Sequence, residues 1–185
     1  MWNEQIIMML LEGIKDTLYM TLTSTLIGYV IGLPMGILLT VTDKDGIHPN
    51  AAVYKVLDVI ANLIRSVPFL ILLIVLIPFT RFLIGRSYGP TATIVPLVIA
   101  AAPYIARMVE SSLKEVDAGV IEAARSMGAS NFTIVTKVML VEARTSLIVG
   151  ATISLGTILG YSAMAGTVGG GGLGDIAIRY GYTRW

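Results

Sequence analysis

Cysteine is absent from the 185 residues, so the chain holds no disulfide framework, no zinc–thiolate centre and no cysteine nucleophile. Histidine occurs once, at His48 in a Pro-flanked polar stretch. That leaves little for metal or acid–base chemistry, and no catalytic residue, metal site or cofactor is expected. Charge is scarce: Asp, Glu, Lys and Arg make up 14% of the chain, against about 25% in a soluble domain. With a net charge of +1 there is no excess of basic groups for nucleic acid, and none is expected as a partner. No Lys-Ser or Lys-Thr pair follows a glycine loop, so the chain is not expected to bind ATP itself. No repeat of 20–50 residues is visible, which excludes a repeat array.

Apolar residues are plentiful. They make up 55% of the chain, and the mean hydropathy is +0.81. So small a chain in water needs a polar surface that this composition cannot supply, so lipid is its solvent. The expected fold is all-α, a polytopic helical membrane protein forming one transmembrane domain over residues 1–185. A bilayer core of about 30 Å takes about 20 apolar helical residues, and four spans answer that need, at about 18–41, 56–84, 91–108 and 146–168. Met1 to Asp16, with Glu4, Glu12, Lys15 and Asp16, reads as an amphipathic lead-in. It is a poor signal peptide, because the apolar run is too long and no small-residue cleavage site closes it.

Thr42 to Lys55 is polar and reads as a loop. Arg65, Pro68 and Pro78 interrupt the second span; Arg65 could snorkel or face a partner. Arg81 to Pro90 is a turn-rich connection, and Pro96 and Pro103 are kink candidates in the third span. None of these apolar runs contains Asp or Glu, and Asp58 lies at the edge of the second. Carriers driven by protons or sodium place carboxylates inside their spans, so the energy for transport is expected to come from elsewhere. Seven basic residues on the side of the Thr42–Lys55 and Arg107–Thr145 segments face five on the other. This bias orients the amino terminus outside and those two segments in the cytoplasm.

Ser24, Gly28, Gly32 and Gly36 recur every four residues in the first span, and Gly156 and Gly160 repeat the spacing in the fourth. Such stripes let helix backbones approach closely in lipid. Two uses remain open, packing within one chain and an interface between subunits. Met164 sits among Ser162, Ala163, Ala165 and Gly166. It is a lipid- or core-facing methionine, or else a gate contact for an apolar amino acid, with Tyr161 and Ser162 supplying hydrogen bonds beside it. Gly169, Gly171 and Gly174 fit G-x-G-x-x-G, but they follow a span and no βαβ pattern surrounds them. Gly166 to Gly174 reads either as a flexible exit from the fourth span near an outer gate or as a plain linker.

The charged segment is built as helix, glycine, helix. Asp117 is placed to cap a helix running to Met127, Gly128 to take the left-handed position after it, and Ser130 or Asn131 to cap a second helix through Leu140. Glu122–Arg125 and Glu110–Lys114 stand at helical spacing for ion pairs. Met127 and Phe132 flank the turn, a shape suited to a groove in another protein or to lying on the membrane surface.

Glu122-Ala123-Ala124, then Gly128 after three residues and Val138-Met139-Leu140 after nine more, resembles the EAA motif. That motif marks permease subunits of binding-protein-dependent ATP-binding-cassette (ABC) importers. Arg65-Ser66-Val67-Pro68-Phe69, Ile77-Pro78-Phe79-Thr80-Arg81, Ala102 to Glu110 and Gly160 to Gly166 resemble the methionine-uptake branch of that family. The resemblance implies the ABC importer permease fold, with residues 109–145 as a cytoplasmic coupling loop. It implies that Glu122, Ala123, Ala124, Met127, Gly128 and Phe132 couple to a separate ATPase subunit. It also implies a permease homodimer, a substrate-binding protein as a further partner, and methionine of either hand as substrate. An importer permease for another amino acid, and from a different class a passive channel or secondary carrier, are the alternatives. Leu140 is followed by Val141 where the family pattern has proline, so the helix is expected to continue. Members of the branch have a fifth span that this chain lacks, so a carboxy-terminal truncation is expected.

Overall fold

The computed structural model describes residues 4–182. The first three residues of the lead-in, and Arg184 among the orienting charges, lie outside the described residues. The described residues form helices α1 (Glu4–Thr42), α2 (Ala51–Ser66), α3 (Phe69–Val75), α4 (Ile77–Ile84), α5 (Pro90–Lys114), α6 (Ala118–Ser126), α7 (Asn131–Thr133), α8 (Leu140–Glu142), α9 (Arg144–Ala165) and α10 (Gly172–Ile176). Wide π-helical turns fill Ile134–Met139 and Ala177–Tyr182. Three helices, α1, α5 and α9 with its extension to Val168, are long and apolar enough to cross a membrane. The bent pair α2 and α3 makes a fourth if counted as one span.

Several boundaries differ from the sequence expectation. The lead-in is no separate element: α1 runs unbroken for 39 residues, because no helix breaker separates Glu4 from Leu18. The second span is broken where Pro68 was expected to interrupt it. α2 ends at Ser66, Pro68 caps α3, and Gly85 ends α4 in the left-handed conformation at φ 81°. α5 runs on past Ala106 to Lys114. Its last two turns hold Arg107, Glu110 and Lys114, which pair instead of breaking the helix. Helix persists beyond Leu140 to Glu142, as the missing proline predicts.

The chain divides into two compact units. Unit 1 comprises residues 1–28, 67–101 and 155–185, and unit 2 comprises residues 29–66 and 102–154. In unit 1, Phe69 stacks on Tyr161 with ring centroids 4.5 Å apart. Gly166 to Gly174 is not a slack linker here. A Cβ on Gly166 would strike the backbone of Gly174 and Asp175, and one on Gly174 would strike the carbonyl of Ala163. The Leu173 amide donates to Thr17 Oγ1 at 2.9 Å, and the Gly89 amide to the Gly169 carbonyl at 2.9 Å. In unit 2, α1 lies on α5 at backbone distance. A Cβ on Gly32 would stand 2.6 Å from the Ala102 carbonyl, and one on Gly36 2.5 Å from that of Ala106. Ile105 and Val109 fill that seam and are buried. Gly28 is buried too, in unit 1.

Candidate functional site: an exposed elbow and a buried charge ladder

The elbow after α5 forms as the local chemistry requires. Asp117 Oδ1 accepts from the Gly119 amide at 2.8 Å and caps α6. The Met127 and Gly128 amides close the helix end onto the Ala123 and Arg125 carbonyls. Gly128 takes φ 81° with nothing within 4 Å of a Cβ, so the position demands backbone freedom and not space. Ser130 caps the next helix by accepting from the Thr133 amide at 3.2 Å. Of the coupling residues named from sequence, Glu122, Ala123, Met127, Gly128 and Phe132 are exposed and Ala124 is buried. Met127 is 82% and Phe132 78% exposed, which leaves two large apolar side chains in the open at the turn.

The i,i+3 pair of Glu122 with Arg125 does not form. Arg125 Nη2 instead donates to the Ile47 carbonyl at 2.8 Å, which ties α6 to the α1–α2 loop. Glu122 and Arg125 line an opening of about 540 Å³ together with Asp43, Asp45, Lys114 and Met139.

Of the neighbouring charge cluster, sequence reasoning found the Glu110–Lys114 pair and missed the rest. Arg107 pairs with Asp58, and its Nη1 donates to Glu110 Oε2 at 2.6 Å. Lys114 reaches Glu110 at 2.8 Å and Asp43 at 2.7 Å. The Tyr54 hydroxyl donates to Glu110 Oε1 at 3.4 Å. Glu110 is buried, and it is satisfied from three sides. Beside Lys114, which donates to it, the Asp43 carboxyl lies below its ordinary pKa of 3.8. Two carboxylates, Asp58 at the edge of the second span and Glu110 just past the third, stand on α2 and α5, and both are paired inside the chain. The only signal for the cluster in the sequence was Arg107, Glu110 and Lys114 at helical spacing.

The three residues proposed for a gate do not converge. Ser162 is buried, donating to the Leu159 carbonyl at 2.7 Å and accepting from Thr21 Oγ1 at 3.5 Å. Tyr161 is committed to Phe69. Met164 is exposed.

A helical chain of membrane-length apolar helices that presents a capped, glycine-hinged elbow has the form of a membrane transport subunit. Residues 8–183 match the family described as binding-protein-dependent transport system inner membrane component, and the chain belongs to that family. It is thus an inner-membrane permease subunit and not an enzyme. It is 48% identical over 96% of its length to the probable D-methionine transport system permease protein MetI of Vibrio cholerae, of which it covers 79%. It is 52% identical over 89% of its length to the D-methionine transport system permease protein MetI of Escherichia coli K12, covering 76% of that protein. Among solved structures it matches an inward-facing form of the MetNI methionine ABC transporter. There the TM-score is 0.95 at 51% identity, over 98% of this chain and 84% of that one.

Proposed function

We propose that this chain is the permease of an ATP-driven importer for methionine, L and D. It would act as a homodimer with a separate ATPase subunit on each copy and a substrate-binding protein delivering solute. The observation that carries the reading is the exposed elbow, Glu122 to Phe132, with its unshielded Met127 and Phe132. The substrate rests on the near-50% identity to proteins named for D-methionine transport. In this reading the elbow lies in the cytoplasm and seats in a cleft of the ATPase. Small Ala123 admits the cleft wall, and Gly128 sets the angle between the two arms. ATP binding closes the ATPase pair, the elbows move as levers, and the spans alternate between inward- and outward-open arrangements.

Gly128→Asp tests it, since a side chain there is strained at positive φ by roughly 1 kcal/mol or more and the added charge enters the cleft. The expected result is loss of co-purification with the ATPase subunit and of methionine uptake. Wild-type levels of both would refute the coupling role. Ligand-stimulated ATPase activity of the complex with its binding protein tests the substrate: stimulation by another amino acid and none by methionine would move the label.

A further inference from the structure

One cation on the stripe that α2 turns to α5 forms no ion pair among the described residues. Tyr54, Asp58, Asn62 and Arg65 follow one another on α2 at intervals of four, four and three, so they share one stripe. The first three are engaged by α5. Tyr54 donates to Glu110, Asp58 pairs with Arg107, and Asn62 accepts from Arg107 Nη2 at 3.0 Å. Arg65 is exposed and has no ion pair among the described residues. Its guanidinium carbon lies 5.9 Å from the ring centroid of Tyr104, within range of a cation–π contact.

Tyr104 stands three residues before Arg107, inside the uncharged run Thr91 to Ala106 that the sequence offers as a span. A cation held against such a span needs an anion or water. Neither helix has one to give: the carboxylates of α2 and α5 are Asp58 and Glu110, and both are taken. On a second copy the same two groups are paired in the same way. A solute with a carboxylate supplies one.

We infer that Arg65, seated on the face of Tyr104, binds the α-carboxylate of the transported amino acid within the translocation path. This rests on the importer reading above. The contact with the ring uses none of the guanidinium N–H groups as an ion pair would, and they can fork onto two carboxylate oxygens. The stripe then has two parts with different work. The portion from Tyr54 to Asn62 holds α2 to α5, and Arg65 meets the cargo.

The chain has no native cysteine, so Arg65→Cys gives it a single labelling site. The full complex is reconstituted in vesicles with its ATPase and binding protein, and radiolabelled L-methionine uptake is measured. Arg65→Gln is expected to lower uptake at least about tenfold, the worth of one charge-assisted hydrogen-bond pair, while loaded binding protein still stimulates ATP hydrolysis. Arg65→Cys is expected to react with a water-soluble aminoethyl thiosulfonate, to be protected by methionine, and to regain uptake. The sulfonatoethyl reagent, which installs an anion, is expected to restore nothing. Wild-type uptake by Arg65→Gln, or equal recovery with the two reagents, would overturn the proposal. So would labelling that methionine leaves unchanged. If Arg65→Gln does not assemble, the cysteine variant decides by the same criteria. A wild-type complex that takes up no methionine refutes the substrate reading instead. In that case an Arg65→Cys site closed to the aqueous reagent still overturns the Arg65 assignment, and an open one supports it.

Discussion

Two glycine stripes with the same four-residue spacing meet opposite surroundings. On α1, Gly32 and Gly36 bring the backbone against the carbonyls of Ala102 and Ala106, and the helix pair closes over Ile105 and Val109. On α9, Gly156 and Gly160 are exposed, and a Cβ at either would meet nothing within 4 Å. The spacing therefore encodes a capacity for close approach, and the surroundings decide whether the capacity is spent. The α1–α5 seam spends it and then locks its end electrostatically, because the Lys114 ammonium reaches Asp43 just beyond α1 and Glu110 on α5. The α9 stripe has no such lock among the described residues and stays open.

The contrast is sharpest at Gly36→Leu. The carbonyl of Ala106 belongs to a helix backbone and cannot swing aside, so α1 and α5 must part along the seam. A loss above about 4 kcal/mol, at the extreme of single substitutions, is expected, read as lost folded yield in detergent. Glu110→Gln comes next. It takes the shared anion from Arg107 and Lys114, which keep Asp58 and Asp43, and a loss of roughly 1–3 kcal/mol is expected, measured by thermal unfolding.

Asp43→Asn is smaller and depends on pH. The Asp43 carboxyl is held below its ordinary value chiefly by the hydrogen bond from Lys114. Its contribution to stability is therefore present above the ordinary carboxyl pKa, and it is lost as pH falls through the lower, folded value. The wild-type melting temperature should fall more steeply than that of the Asn variant below about pH 4, and matching profiles would dismiss the Lys114–Asp43 lock. Gly160→Leu should change the stability of the chain alone by under about 0.5 kcal/mol. If the same substitution abolishes dimer recovery by crosslinking, the open stripe is a subunit seam. A large loss in the single chain would erase the contrast altogether.

The local devices were legible in the sequence because they are settled within a turn or two. Asp117, Gly128 and Ser130 each stand where their backbone preferences put them. The Gly-x-x-x-Gly spacing of α1 also spoke truly of close packing. What failed to show was everything decided by distant partners. Arg107 looked like the start of a loop because a charge normally leaves a span, and Asp58, 49 residues away, joins Glu110 in making its burial tolerable. Gly166 to Gly174 looked slack because glycine is the flexible residue, yet here its missing side chain admits the α9 and α10 backbones to each other. Glu122 and Arg125 had the spacing of a pair, and a carbonyl in another loop won the guanidinium. Met164 and Ser162 are two residues apart on a helix, which puts them on different sides of it.

The π-helical stretch from Ile134 to Met139 has one more consequence. A wide turn of this kind is an ordinary helix that has swallowed a surplus residue and kept its ends in phase. Here it sits between the elbow and α9, where a fixed phase would otherwise forbid any change in chain length. Shortening the protein by one residue inside Ile134–Met139 should relax the bulge into a regular helix while α9 keeps its facing. The same deletion in the middle of α5 would rotate every later side chain by about 100°.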